Sequence, residues 1–210
     1  MRPEHPPGIL SPDDLPPLHT TALPAGRAHL EDHRVTVELR HHTTLAPDAR
    51  QDLLDVYADV RAPLLHLPNY RVDVFAERLD RHAAEPGFVL ALGYDGELPV
   101  GYAYGNTIAS GDRYWKRMTE PLPHGYTDTP ALAIKEIGVR TPWRGSGTAR
   151  RIHDALLAGR PESRVTLLVN PLAGDGKVQR LYEAWGYQAF NAQQPAPDSP
   201  RLTAMIRPTH

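Results

Sequence analysis

Residues 134–151 read IKEIGVRTPWRGSGTARR: a short apolar run, a turn that contains Pro142, and a loop of small residues. A helical pattern follows at once, since Ala149, Ile152 and Leu156 recur at helical spacing. A glycine loop between a strand and a helix suits a phosphate. Glycine lets the backbone approach closely, and the unpaired amides of the first helical turn attract an anion. The stretch therefore predicts a binding site for a phosphorylated ligand.

Two common phosphate-binding patterns are missing from this stretch. The chain has no Gly-x-x-x-x-Gly-Lys-Ser/Thr string, and the Gly-Ser-Gly of 145–147 lacks the third glycine of the dinucleotide fingerprint. The pattern that does fit is Arg/Gln-x-x-Gly-x-Gly/Ala, which Arg144, Gly147 and Ala149 match after a strand that ends at Val139. This pattern resembles the acetyl-CoA signature of the GNAT superfamily of N-acetyltransferases.

A second segment supports the same resemblance. Residues 165–170 form an apolar run of strand character, and LYEAWGY at 181–187 resembles the family's Leu-Tyr-Glu-Lys-x-Gly-Phe segment. The plainer alternative is a glycine loop that joins a strand to a helix and binds nothing. Two motifs in the right order and spacing favour the family, and the resemblance extends from about residue 34 to the end of the chain.

The resemblance implies an α/β (α+β) GNAT-like fold. In such a fold, helices flank a mixed, mainly antiparallel central sheet whose central strands splay apart, here at the strand 131–139. Hydrophobic periodicity predicts the matching order of elements. The predicted strands are 34–40, 87–94, 98–104, 131–139, 164–170, 187–190 and 201–207, and the predicted helices begin at Pro47, near Val72, near Gly147 and at Lys177. The stretch 105–129 is predicted to be an irregular loop.

Composition limits the remaining possibilities. Residues 1–33 are rich in proline and poor in large apolar side chains, which predicts an extended or disordered leader before a domain over 34–210. The formal net charge of −2 argues against nucleic acid as a partner, and no apolar run is long enough to span a membrane. The chain has no cysteine and no recognisable signal peptide, so we expect a cytoplasmic protein without disulfides.

Two residues are the predicted catalytic groups. Transfer of an acetyl group from a thioester to an amine needs a proton acceptor for the amine and a proton donor for the departing thiolate. The resemblance makes Tyr182 the donor; the alternative is a core residue that packs beside Leu181 and Trp185. Glu136 is the predicted base, directly or through a water. The alternatives are an anchor for a cationic substrate and a solvated or salt-bridged strand carboxylate. Strand alternation predicts that Glu136 points away from Lys135.

The resemblance also implies acetyl-CoA as the co-substrate. Backbone groups of the strand would bind the pantetheine arm, the loop amides would hold the pyrophosphate, and Asn170 would bind a pantetheine amide. The predicted set is Ile137, Gly138, Val139, Arg144, Gly145, Ser146, Gly147, Thr148, Ala149, Arg150 and Asn170. Asp175 departs from the family, which commonly has Asn there; it can cap a helix but cannot donate to a carbonyl. No metal site is predicted, because the His41-His42 pair lacks further ligands at metal-binding spacing.

The predicted function is that of a GNAT-type acyltransferase. The acceptor is a small-molecule or peptide amine whose identity stays open, and a homodimer stays open as well. The basic and aromatic cluster at 113–117 is predicted to form a wall of the acceptor pocket or a flap over it. The alternative from another class is a catalytically silent acyl-CoA-binding or sensor domain that uses the same loop.

Overall fold

The structure is a computed structural model that describes residues 36–194 and 200–210. The predicted leader of 1–33 and its boundary with the domain lie outside the described residues. The strands are β1 Glu38–His42, β2 Val89–Asp95, β3 Leu98–Ile108, β4 Ala131–Val139, β5 Arg164–Val169, β6 Gln188–Gln193 and β7 Leu202–Pro208. The helices are α1 Pro47–Val60, α2 Val72–Ala83, α3 Arg113–Lys116, α4 Thr148–Leu157 and α5 Lys177–Ala184. None of these described helices is both long and apolar enough to cross a bilayer.

The described strands form one seven-stranded sheet in the order β1-β2-β3-β4-β5-β7-β6. Each neighbouring pair is antiparallel except β4–β5, which is parallel. That pair is short. Its last partners are Ile134 and Leu167, and β4 continues to Val139 without β5 beside it. The predicted mixed, mainly antiparallel sheet with splayed central strands is confirmed, and the splay leaves a gap between β4 and β5.

Helices cover both faces of the sheet. α1 and α2 pack on one face, which we call the α1/α2 face, where Tyr57, Phe75 and Tyr104 are buried together. α4 and α5 pack on the opposite, α4/α5 face, where Ile152 and Tyr182 are buried. Burial of each such large side chain stabilises the fold by about 1.5–3 kcal/mol. Packing on both faces therefore holds the gap between two helical layers.

The region predicted to be an irregular loop is partly regular. β3 runs on through Gly105 to Ile108, and α3 follows shortly after it. Gly105 looks like a strand breaker in the sequence, but here it permits a close approach of two strands. A Cβ at this position would lie 2.4 Å from the carbonyl oxygen of Ala133. Gly105 therefore belongs to an irregularity in the pairing of β3 with β4 and not to a turn.

A buried ion pair ties the segment before β5 to β3. Arg160 pairs with Glu162, whose side chain is only 3% exposed, and Thr107 of β3 donates a hydrogen bond to the same carboxylate. Burial by itself would raise the pKa of Glu162, but the hydrogen bonds from Arg160 and Thr107 outweigh it and lower the pKa below the ordinary 4.5. The pair therefore stabilises the fold above about pH 4.5, and this contribution is lost as the pH falls through the depressed pKa.

We expect Glu162→Gln to lower the free energy of unfolding near neutral pH by about 2 kcal/mol, because hydrogen bonds to a charged group contribute about 1.5–3 kcal/mol. The deficit should shrink in acid, since the wild-type carboxylate is then protonated too. Urea unfolding at a series of pH values, from neutral pH down through the depressed pKa of Glu162, measures this deficit. Glu97→Gln is the control, because that side chain is 96% exposed. A deficit that does not change with pH would contradict the assignment.

Candidate active site

A β-bulge in β4 decides which side chains border the gap. Tyr104 of β3 is opposite Glu136, and Gly105 is opposite Ile134, so Lys135 is an extra residue without a partner in the ladder. An extra residue of this kind interrupts the alternation of side chains between the two faces of a sheet. The residues on either side of it therefore do not follow the simple two-residue period.

Because of the bulge, Lys135 and Glu136 both point to the α1/α2 face. Lys135 Nζ lies 3.9 Å from a carboxylate oxygen of Glu85, just after α2. Glu136 Oε1 accepts a hydrogen bond from Arg61 Nη2, just after α1, at 2.5 Å. The prediction that Glu136 points away from Lys135 is therefore wrong, since strand alternation does not hold across an inserted residue.

Glu136 is a fixed negative group beside the gap. Its side chain is 15% exposed and that of Arg61 is 30% exposed. Burial disfavours the charge on Arg61, but the attraction of Glu136 outweighs it and raises the pKa of Arg61. The buried hydroxyl of Tyr102 on β3 has no hydrogen-bond partner in the described structure, and burial followed by the charge of Glu136 raises its pKa. A partly buried carboxylate therefore stands at the bulge, and its Oε1 is bonded to Arg61.

The backbone of β4 beyond the bulge offers hydrogen-bond groups to the gap. The amide of Arg140 donates to a carbonyl of β3. Antiparallel ladders alternate, so Gly138 also bonds to β3, whereas the backbone groups of Ile137 and Val139 point away from β3 into the gap. Gly138 has a packing reason to be glycine, because a Cβ there would lie 3.0 Å from the ring of Tyr102. Of these three predicted residues, Ile137 and Val139 therefore turn backbone groups to the gap.

The glycine loop supplies unpaired amides at the start of α4. Gly145 and Gly147 have φ angles of 75° and 84°, which other residues rarely adopt. The first turn of α4 consists of Thr148, Ala149 and Arg150. The amides of 145–150 have no acceptor among the described residues, and no neighbouring part of the described structure comes within 4 Å of a Cβ built on either glycine. The loop and the positive end of the helix dipole thus face open space, as an anion site requires.

The polar side chains of the loop are engaged within the protein. Ser146 Oγ donates to a main-chain carbonyl at 2.7 Å. Arg144 Nε donates to the carbonyl of Val139 at 2.9 Å, and Arg150 Nε pairs with Asp154 at 2.8 Å. Phosphate binding at this loop would therefore depend on the amides, with the arginines adding positive charge from the side.

Tyr182 lies on the α4/α5 face of the sheet. It is 7% exposed, and its ring meets Trp185 and Tyr187 edge-on at 5.5 and 5.7 Å. Burial raises the pKa of its hydroxyl, and the charge of Glu136 raises it further. Glu136 is on the α1/α2 face and Tyr182 on the α4/α5 face, so the two groups influence each other from opposite faces of the sheet. Leu181, which the sequence places beside Tyr182 in the core, is instead 43% exposed.

The sequence matches no family model and no curated protein. Solved structures match the fold over nearly their full length. An acetyltransferase from Thermus thermophilus is 18% identical, with 84% of this chain and 99% of that chain covered and a TM-score of 0.56. A GNAT-family acetyltransferase from Staphylococcus aureus is 12% identical, with 83% and 100% covered and a TM-score of 0.55. An aminoglycoside 6′-N-acetyltransferase complexed with coenzyme A is 14% identical, with 82% and 97% covered and a TM-score of 0.56. The chain has the GNAT fold.

Within the GNAT fold, the end of β5 and the start of α5 differ in detail from the sequence prediction. Asn170 follows β5, and its Oδ1 accepts a hydrogen bond from the amide of Leu172 at 3.0 Å. Asp175 has a φ of 56°, and α5 is capped by Gly176 without a side-chain hydrogen bond. Asp175 therefore does not cap α5, because the neighbouring glycines let the backbone itself turn into the helix.

A cavity of about 270 Å³, here called the acceptor cavity, opens on the α1/α2 face of the GNAT sheet. It reaches Ile134 and Leu168, at the point where β4 and β5 separate. Its charged and titratable lining consists of His82, Glu85, Asp112, Arg113, Arg117 and Lys135. Sequence reasoning missed His82 and Glu85, which belong to no motif. The available signals for this cavity were the basic and aromatic cluster at 113–117, which contributes Arg113 and Arg117, and the position of Lys135 next to Glu136. The described residues contain no cluster of His, Asp or Glu that could hold a metal ion.

Proposed function

We propose that the protein is an N-acetyltransferase that moves an acetyl group from acetyl-CoA to a primary amine by direct attack. One arrangement carries the proposal: the amides of 145–150 are unpaired, β4 and β5 separate beyond Ile134, and Glu136 and Tyr182 lie on opposite faces of that sheet. The coenzyme A complex of an aminoglycoside 6′-N-acetyltransferase with the same fold gives further support.

The residues present fit coenzyme A. The loop amides would hold the pyrophosphate, where the glycines leave room. The backbone groups of Ile137 and the amide of Val139 would bind the pantetheine arm, since the carbonyl of Val139 already accepts from Arg144. Bound in this way, acetyl-CoA would bring its thioester toward the bulge. The loop donors are charge-neutral and preoriented, so binding a diphosphate needs no rearrangement of buried charges.

Acetyl transfer needs two proton transfers, one from the amine and one to the thiolate. The amine nitrogen bonds to the carbonyl carbon while the carbon–sulfur bond breaks; the amine loses one proton and the thiolate gains one. Glu136 would receive the first proton, directly or through a water, and Tyr182 would donate the second. Because its pKa is raised above the ordinary tyrosine value, Tyr182 holds its proton at neutral pH.

Titration calorimetry with coenzyme A, ATP and NAD, together with thiol release over a panel of amines, tests the proposal. Selective coenzyme A binding and amine-dependent thiol release are expected. Binding without thiol release on any amine would favour the catalytically silent sensor domain. Absence of coenzyme A affinity in the folded chain would rule out both functions.

We expect Gly147→Ala to weaken coenzyme A binding by about tenfold or more, a change of at least about 1.4 kcal/mol. The added methyl group would occupy the space where the pyrophosphate approaches, and it would strain a backbone that has a φ of 84°. Calorimetry of the folded variant measures the loss.

Gly96→Ala is the matched control for the strain. Gly96 also has a positive φ, of 59°, and no neighbour within 4 Å of a built Cβ, but it lies in the β2–β3 turn. Both variants should lose a similar free energy of unfolding, about 1–2 kcal/mol. Only Gly147→Ala should lose coenzyme A affinity; equal affinities would count against the loop as the pyrophosphate site.

A further inference from the structure

The acceptor cavity has more positive than negative charge available to a ligand. Its carboxylates already have partners: a carboxylate oxygen of Glu85 lies 3.9 Å from Lys135 Nζ, and Asp112 Oδ1 accepts a hydrogen bond from the amide of Tyr114 at 2.7 Å. The exposed guanidinium groups of Arg113 and Arg117 have no ion pair among the described residues. This surplus is local, because the whole chain has a net charge of −2.

Lys135 adds a cation that is poorly solvated. Its side chain is 18% exposed, and burial lowers the pKa of Lys135 despite the opposing influence of Glu85 and Asp112. His82 beside it is neutral near pH 7, since burial lowers its pKa to about 4. Glu85 pairs with Lys135 only at 3.9 Å, so a ligand carboxylate in direct hydrogen-bond contact would stabilise the charge of Lys135 further.

We propose that the acceptor is a small amine that also carries a carboxylate, as a free amino acid does. Lys135 and Glu136 are consecutive and point to the same face, with Cα atoms about 3.8 Å apart. A small molecule with its carboxylate in the cavity at Lys135 could therefore place its amine at Glu136, the next residue of β4, which is outside the cavity lining. This inference rests on the proposed acetyl transfer and narrows its acceptor.

The other features of the cavity agree with this acceptor class. Arginine presents a planar fork that matches a carboxylate, so Arg113 and Arg117 can bind the anionic end at the cavity mouth. Polyamines and other polycations would meet like charges from Lys135 and both arginines. The volume of about 270 Å³ admits a small molecule in preference to a folded protein surface.

Matched acceptors test the proposal with the full chain and acetyl-CoA. Thiol release is compared for glycine, methionine and aspartate against their carboxamides, with spermidine, phosphoethanolamine and an aspartate-initiated peptide as further arms. We expect kcat/KM to favour the acids by about tenfold or more, in keeping with a charge-assisted hydrogen bond of about 1.5–3 kcal/mol. A better phosphoethanolamine or peptide substrate would overturn the amino-acid assignment.

Two variants connect the preference to the cavity. Lys135→Met and Arg117→Gln should lower kcat/KM for the acids by about 10- to 100-fold, and should change the carboxamides by less than about threefold. Lys116→Gln, next to Arg117 but outside the cavity lining, should leave both classes unchanged. Either of the first two variants suffices if the other does not fold.

The outcomes separate this inference from the proposed function. Turnover of carboxamides or polyamines as fast as the acids, or an acid preference that survives both variants, overturns the inference while acetyl transfer stands. If no amine is turned over, binding of the same acids is measured by thermal shift in the presence of coenzyme A. No stabilisation by the acids then overturns the inference. Whether the loop is the pyrophosphate site is tested separately, by titration with coenzyme A alone.

Discussion

Replacing Tyr182 with phenylalanine is expected to lower kcat by about 10²- to 10⁴-fold, the usual contribution of a positioned proton donor. The change removes one oxygen atom and leaves the ring, which packs edge-on against Trp185 and Tyr187. Coenzyme A affinity should therefore stay within about threefold of wild type. Steady-state thiol release and calorimetry on the same preparation measure the two quantities.

Tyr187→Phe is the matched control. Tyr187 is buried in the same cluster and its hydroxyl lies 2.8 Å from His153 Nε2, a contact with no part in the proposed chemistry. We expect a loss of stability of about 1 kcal/mol and little change in kcat. Similar kcat values for Tyr182→Phe and wild type would mean that Tyr182 is a core residue only.

The pH dependence gives an independent check on Tyr182. Burial and the charge of Glu136 raise the pKa of this hydroxyl above the ordinary value of 10.0, so the proton is present throughout the neutral range. Ionisation of Tyr182 should not lower kcat below about pH 10. A descending limb between pH 7 and about 9 that disappears in Tyr182→Phe would contradict the raised pKa.

Glu136→Gln is expected to lower kcat/KM by about 10²- to 10⁴-fold if the carboxylate receives the amine proton. Glutamine keeps the size of the side chain and an oxygen that can accept from Arg61, so the fold around the bulge should persist. If Glu136 only anchors a cationic amine, KM should rise while kcat stays nearly constant. A split of the loss between kcat and KM, measured at several pH values, distinguishes the two roles.

Asp59→Asn provides the control for loss of a neighbouring ion pair. Asp59 lies near the end of α1 and pairs with Arg140 at 2.8 Å, with 59% of its side chain exposed. Such pairs contribute about 0–1 kcal/mol, and the variant should keep wild-type kcat/KM. An equal loss in both variants would show that the charge balance of this face matters and that Glu136 has no special role.

Local patterns identified most of the architecture. Pro47 and the apolar spacing after it predict α1, and the Asp95-Gly96 pair predicts the β2–β3 hairpin; both are confirmed. The small residues of 145–147 predict a loop that leaves amides unpaired, and the backbone there has the expected positive φ at both glycines. These features depend on a few adjacent residues, so they can be read from the chain in order.

Contacts between distant segments decided what the sequence could not show. Lys135 is an ordinary strand residue until pairing with β3 leaves it without a partner, and that bulge turns it to the same face as Glu136. His82 and Glu85 reach the acceptor cavity because α2 packs against the sheet, although both residues are far from β4 along the chain.

The sequence by itself determined the order of strands and helices and the glycine loop, because backbone preferences and hydrophobic periods act over a few neighbouring residues. The candidate catalytic pair, Tyr182 and Glu136, came from the resemblance of two motifs to the GNAT family. The tertiary structure alone decided the register of β3 against β4, the ion pair between Glu136 and Arg61, and the cationic surplus of the acceptor cavity. Those features arise from packing and from charges brought together across the fold, and their energies depend on burial, which no local pattern encodes.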